Sequence, residues 1–198
     1  MTQALFLAST SSYRATLLER LGLPFSVEAP GIDEAERKDE TPPARALRLA
    51  HAKAVAVSKR HPGAWVIGSD QVAVCGERIL DKPGDAERCR AQLAAESGQA
   101  VAFHTAVVLL RAEPPSVAEH VDLTTVHFRT LTPLEIARYV ELDRPFDCAG
   151  GFRSEGLGIA LFESLQTRDP AALVGLPLIW LAGALRAAGL DPFARAQP

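Results

Sequence analysis

Asp70 follows an apolar run, Ala64-Trp65-Val66-Ile67, in the segment Gly68-Ser69-Asp70-Gln71. The run reads as a buried strand, and open α/β sheets gather their chemistry where strands end. A carboxylate at such an exit can hold a cation or orient water; a turn former or the cap of a following helix is the structural alternative. Gly68 before it lets a backbone or a ligand come close. Three more polar clusters fall where strands end or loops begin: Ser9 to Arg14, Asp33-Glu34 and Asp81-Lys82-Pro83, and Lys53 adds a cation on the edge of an apolar helix stripe. Hydroxyls, Arg, Lys and carboxylates in this mixture suit metal-assisted hydrolysis of a polyphosphate. Arg and Lys grip phosphate oxygens, and carboxylates bind Mg²⁺ or Mn²⁺ and orient water. The amides of a helix starting after Ser9 would add positive potential for a phosphate.

Each residue also has a structural reading. Arg14 fits a solvated first helix turn, Lys82 a turn before proline, and Asp33-Glu34 a charged, solvated loop. Lys53 is harder to set aside, because a cation beside Ala50, Ala54 and Val57 must snorkel or find an anion. Other chemistries lack their motifs: there is no GxSxG elbow, HExxH, GxxxxGK[ST] or post-strand GxGxxG, and the five histidines show no ligand-like pairing.

The elements that must place these groups alternate. Ala4 to Ala8 reads as a strand, Tyr13 to Leu21 as a helix stopped by Gly22 and Pro24, Phe25 to Val27 as a short strand, and Pro30 to Pro43 as a mobile loop. Ala44 to Arg60 carries a clear helical stripe. Residues 64–68 form the strand leading to Asp70, with a hairpin about Gly76, and Asp85 caps a helix to Ala95. Val101 to Leu110 and Val117 to Phe128 read as a long antiparallel pair around Pro114-Pro115, and Thr132-Pro133-Leu134-Glu135 as a capped helix start. Four glycines make Cys148 to Gly158 a loop, and Leu176 to Leu190 closes the chain as an apolar helix. The sequence predicts one α/β domain over 1–198.

At 198 residues, 47% hydrophobic and 23% charged, the chain can bury a sizeable core. Its net charge of −3 argues against a nucleic-acid polymer as main partner. No apolar run approaches the ~20 residues that span a bilayer, and the N-terminus lacks signal-peptide character, so the expected location is the cytoplasm. Cys75, Cys89 and Cys148 suggest neither a disulfide framework nor a CxxC site and read as reduced, mostly buried thiols.

In this order, these clusters resemble the Maf-type nucleotide pyrophosphatases over nearly the whole chain. The residues that carry the likeness are Leu7-Ala8-Ser9-Thr10-Ser11 with Arg14, Ile32-Asp33-Glu34, Leu49-Ala50 with Lys53-Ala54, Gly68-Ser69-Asp70-Gln71-Val72, and Lys82-Pro83. The resemblance implies an α/β unit like that of the Maf and ITPase proteins, with a central mixed, twisted sheet, helices on its faces and two lobes around a cleft. It also implies hydrolysis of the α–β bond of a nucleoside triphosphate with a divalent metal. Asp70 would be the proton acceptor, with Glu34, Lys53 and Lys82 as further catalytic groups; Ser9 and Arg14, with the two lysines, would bind phosphate, and Glu34 and Asp70 would hold the metal. A homodimer is the assembly implied.

Later segments narrow the branch. Cys148 to Ile159, Leu161-Phe162-Glu163, Arg168-Asp169-Pro170 and Val174 to Leu178 look like the branch acting on 7-methyl-GTP. Its specificity positions map to Tyr13, Gln71 and Glu155, with Tyr13 in place of that branch's tryptophan. Methylation at N7 makes guanine cationic, favouring an electron-rich ring and a nearby carboxylate; Glu155 could also accept from N1–H and the exocyclic amine. Two alternatives stay open within the resemblance: a dTTP/UTP pyrophosphatase, or a nucleotide-binding regulator of septum formation.

Overall fold

The computed structural model describes residues 3–194. Seven strands form one mixed sheet: β1 (Leu5–Ala8), β2 (Ser26–Glu28), β3 (Trp65–Cys75), β4 (Arg78–Leu80), β5 (Ala100–Arg111), β6 (Ser116–Phe128) and β7 (Phe162–Gln166). Their order is β2-β1-β3-β5-β6-β7, with β4 on β3. β1 runs parallel to β2 and β3, whereas β4 on β3 and β7 on β6 are antiparallel. The helices are α1 (Ser12–Glu19), α2 (Pro42–Ser58), α3 (Ala86–Glu96), α4 (Pro133–Asp143), α5 (Pro170–Val174) and α6 (Leu178–Ala187). The expected mixed α/β architecture is present.

Local signals account for most boundaries. The Asp85 side chain accepts from the Arg88 amide at the start of α3, and Thr132 and Glu135 form a reciprocal capping box on α4 with Pro133 in the first turn. Gly76, at φ +60°, turns the β3–β4 hairpin. Cys89 alone of the cysteines is buried; Cys75 and Cys148 are half-exposed, so the expectation of mostly buried thiols holds for one of three.

Two expectations need correction. Asp70 is not at a strand exit: β3 continues through it to Cys75. What ends near Asp70 is the neighbour, since β1 pairs Leu5 with Trp65 and stops at Ala8 opposite Gly68. The alternating apolar residues Val72 and Val74 keep β3 extended beyond that point, where β4 takes up the pairing. The acidic loop after β2 is also not simply solvated. Glu40 accepts both guanidinium arms of Arg48 at 2.6 Å, Arg48 also donates to the Ala35 carbonyl, and Glu36 pairs with Arg45 at 2.6 Å, so α2 holds the loop along its exposed face.

The chain divides into two compact units. The first comprises residues up to 71, 105–122 and from 169 onward. Its core joins Leu5 and Leu7 of β1, Leu18 of α1, Ile67 of β3, and Leu181 and Leu185 of α6. The second comprises 72–104 and 123–168. There Phe152 makes edge-on contacts with Phe103, Phe128 and Phe162, at ring centroid distances of 4.9–5.5 Å.

Candidate active site

The first unit builds its polar centre by laying a helix directly on a strand. A Cβ added at Gly68 would lie 2.1 Å from the Ala50 carbonyl oxygen and 2.8 Å from the Ala54 amide. Only glycine lets α2 approach β3 this closely. The closeness carries Lys53, one turn on from Leu49 and Ala50, under the helix until its Nζ donates to Asp70 Oδ1 at 2.6 Å. Both side chains are buried, about a tenth exposed. The same ammonium meets Glu34 Oε1 at 2.9 Å, and that carboxylate is mostly open to solvent. Within Asp33-Glu34 the roles divide: Asp33 Oδ1 accepts from the Ala35 amide and shapes the turn, while Glu34 reaches Lys53. Lys53 thus finds its anions rather than snorkelling.

Ser9 and Arg14 flank the start of α1. Ser9 is buried at the end of β1, and its Oγ accepts from the Ser11 amide; the Ser11 side chain caps the helix on the Arg14 amide. Arg14 Nε donates to the Gly175 carbonyl at 2.9 Å. Burial pushes the guanidinium pKa down, and the charges of Asp70 and Glu34 oppose that shift, so Arg14 shares their electrostatic neighbourhood. Among the described residues no carboxylate forms an ion pair with Arg14. Tyr13, half-buried, stands beside it on α1.

Gln71 points its amide nitrogen away from solvent. Nε2 donates to Thr105 Oγ1 at 2.9 Å and to the carbonyls of Ala172 and Leu173 at 3.0 Å each. Two carbonyl oxygens there fix which end of the amide is nitrogen, so Oε1 is the end available to a ligand. Ser69 Oγ lies 2.8 Å from the Ala106 carbonyl and 2.9 Å from that of Gly175. The segment after β7 is therefore a frame for Arg14, Ser69 and Gln71. Asp169 holds it, accepting from the Ala171 amide at 3.0 Å and the Ile179 amide at 2.6 Å. Thr105 escaped the sequence reading of the site, and Asp169 and Gly175 entered it only within segments carrying the branch likeness, with no role at the site. The dipeptide Asp169-Pro170, a cap followed by proline at the first helical position, was the available signal.

In the second unit, Lys82 is exposed just after β4 and Glu155 is exposed on the loop between α4 and β7. Ser154 Oγ donates to Glu155 Oε2 at 3.2 Å.

Among the described residues no three His, Cys, Asp or Glu side chains gather as a metal cage. Glu34 and Asp70 nevertheless converge on one point, now marked by Lys53 Nζ. Two hard carboxylates fit Mg²⁺ or Mn²⁺, ions that complete their shells with water and substrate phosphates rather than an all-protein cage.

Set against known proteins, the chain matches the family model described as Maf-like protein over residues 4–188. The chain belongs to the Maf family. Its Maf relatives include a protein named 7-methyl-GTP pyrophosphatase from Xanthomonas oryzae pv. oryzae, 53% identical over 189 residues, which cover 96% of this chain and 98% of that one. Proteins of the same name from Alcanivorax borkumensis and Colwellia psychrerythraea are 48% and 46% identical, each covering 96% or more of both chains. Among solved structures, the Ham1 protein of Staphylococcus aureus superposes with a TM-score of 0.53 at 12% identity, covering 94% of this Maf chain and 100% of that one. That likeness is one of fold.

Proposed function

We propose that this Maf protein is a 7-methyl-GTP pyrophosphatase, converting 7-methyl-GTP and water to 7-methyl-GMP and pyrophosphate and so clearing a modified nucleotide from the cytoplasmic pool. The observation that carries the reading is the 46–53% identity, along nearly the full chain, to relatives of that name. The buried Lys53–Asp70 pair supports it, because the ammonium fixes one carboxylate oxygen and leaves the other to meet a water.

In this reading Asp70 is the base. Its Oδ1 is committed to Lys53, so the proton of the attacking water passes to Oδ2 as the oxygen bonds to the α-phosphorus and the bond to the bridging oxygen breaks. Lys53 orients the carboxylate and meets developing phosphate charge. Arg14, Ser9 and Lys82 bind the phosphates, Arg14 with the arms its Nε contact to Gly175 leaves over. A bound Mg²⁺ or Mn²⁺ would supply neutralisation of the triphosphate and its leaving group. Glu34 and Asp70 are the carboxylates to hold it. Tyr13 stacks on the cationic base, Glu155 balances its charge, and Gln71 presents Oε1. Homodimerisation goes with the same reading and is checked by sedimentation.

The deciding measurement compares kcat/KM for 7-methyl-GTP, GTP, dTTP and UTP with Mg²⁺ and with Mn²⁺, with the products identified. Preference for 7-methyl-GTP with pyrophosphate release is the expected result. A preference for dTTP and UTP would move the chain to the sister activity, and tight binding without turnover would make it a nucleotide-binding regulator.

A further inference from the structure

Glu155 is an exposed carboxylate on a glycine-rich loop, yet the loop around it is pinned from several sides. On the N-terminal side Phe152 is buried among Phe103, Phe128 and Phe162. The Arg153 amide donates to the Tyr139 hydroxyl at 3.0 Å, and that hydroxyl donates in turn to Asp143 Oδ2 at 2.9 Å. Arg153 Nη2 closes the circuit by donating to Asp143 Oδ1 at 2.9 Å and to the Asp143 carbonyl. On the C-terminal side the Gly156 amide donates to the Arg153 carbonyl at 3.2 Å, making Glu155 the third residue of a four-residue turn. A Cβ at Gly158 would lie 2.3 Å from that same carbonyl oxygen, and one at Gly156 would lie 3.0 Å from Asp143 Oδ1. The chain therefore folds back against Arg153 with no room for a side chain.

We propose that Tyr139, Asp143 and Arg153 are positioning residues for base recognition, an α4 bracket that holds the Glu155 turn in its ligand-ready conformation. The inference rests on the reading of Glu155 as the carboxylate that selects the methylated base. Its physical basis is preorganisation: a loop already ordered in the free protein loses less freedom when the ligand binds, and the saving appears in affinity. Tyr139 suits the task because its single hydroxyl fills two roles at once, acceptor for the loop and donor to Asp143. Burial pushes its phenol well above the ordinary tyrosine range, so the donor proton stays in place at every working pH. Asp143 joins the two other members, one through each carboxylate oxygen. None of the three needs to touch nucleotide for the bracket to act.

The test is Tyr139→Phe, which removes both hydrogen bonds and keeps the ring. Expected is a rise of about 5- to 20-fold in KM for 7-methyl-GTP with kcat within about twofold, and a smaller rise in KM for unmethylated GTP, the size expected for one or two net hydrogen bonds. In a Glu155→Gln background the same substitution should change nothing further, since positioning acts only through the residue positioned. Arg153→Lys keeps a cation near Asp143 and keeps the peptide donor, so it should give a smaller shift; melting curves confirm folding of each variant. An equal fall in kcat/KM for every nucleotide, or additive losses in the double variant, would overturn the bracket. If Glu155→Gln shifts the substrate ranking and Tyr139→Phe does not, positioning fails and the Glu155 reading survives. If Glu155→Gln leaves the ranking unchanged, both fall.

Discussion

Two residues side by side on β3 do different work. Asp70 has its ammonium partner in Lys53 at 2.6 Å, and removing its charge leaves Lys53 paired with Glu34, so Asp70→Asn should stay folded. As the base it should lose about 10²- to 10⁴-fold in kcat while still binding nucleotide, which single-turnover assays and equilibrium binding check separately. Gln71 is different because its amide nitrogen is enclosed by acceptors. Gln71→Glu would set a carboxylate oxygen against two carbonyls, of which Ala172 still accepts from the Thr105 hydroxyl and the Gly175 amide, and the lost donor and new repulsion should cost about 1–3 kcal/mol. A thermal melt should fall by roughly 3–10 °C for a chain this size. Under the proposed reading, the part of Gln71 left to meet the base is its carbonyl oxygen, an acceptor.

At the scale of elements, the contact of α2 with β3 is decisive. Gly68→Ala would drive a methyl into the Ala50 carbonyl, so the helix must shift by more than a side chain can absorb. The expected cost is about 1–3 kcal/mol of stability from overpacking, and a fall in kcat of order 10² from displacing Lys53 relative to Asp70. Melting and steady-state rates measured on one preparation check both. On α3, Glu96 is fully buried and, among the described residues, neither carboxyl oxygen has a partner at hydrogen-bond distance, the nearby Gln92 amide and Arg78 only partly offsetting the burial. Burial pushes its pKa from 4.5 up to about 8. The folded chain therefore keeps a proton that the unfolded chain has released between those values, so stability is highest below the window, falls as pH rises through it, and levels off above about 8. The slope is at most about 1.4 kcal/mol per pH unit. Glu96→Gln should flatten the curve and raise the melting temperature at pH 8 to 9. Unchanged pH dependence would show that Glu96 does not carry it.

For the molecule as a whole, chelation is the informative perturbation. Lys53 partners both carboxylates, so under the proposed reading stripping divalent ions should abolish turnover yet leave the melting temperature of nucleotide-free protein nearly unchanged. A large loss of stability on chelation would mean that the metal is structural. No helix among the described residues is long and apolar enough to cross a membrane.

Local chemistry was legible in the chain alone: the caps at Asp85 and Thr132, the hairpin at Gly76, the α2 stripe, and the order of polar clusters that carries the family likeness. Each depends on neighbours within a few residues, where propensity and periodicity act. Other features depended on residues far apart in sequence. Five-residue α5 is too short to show a period, and β7 is mostly exposed, with no alternation to mark it. A glutamate at the end of a polar helix reads as solvated, although Glu96 is fully buried. Asp70 looked like a strand terminus because its apolar run stops at Ile67, and only pairing with β4 shows that the strand goes on. The same holds for function. Which residues could be chemical was suggested by their types and spacing, but Lys53 reaches Asp70 because a fold without a Cβ at Gly68 brings α2 within touching distance of β3, and Tyr139 reaches Arg153 because the chain after α4 turns back onto it.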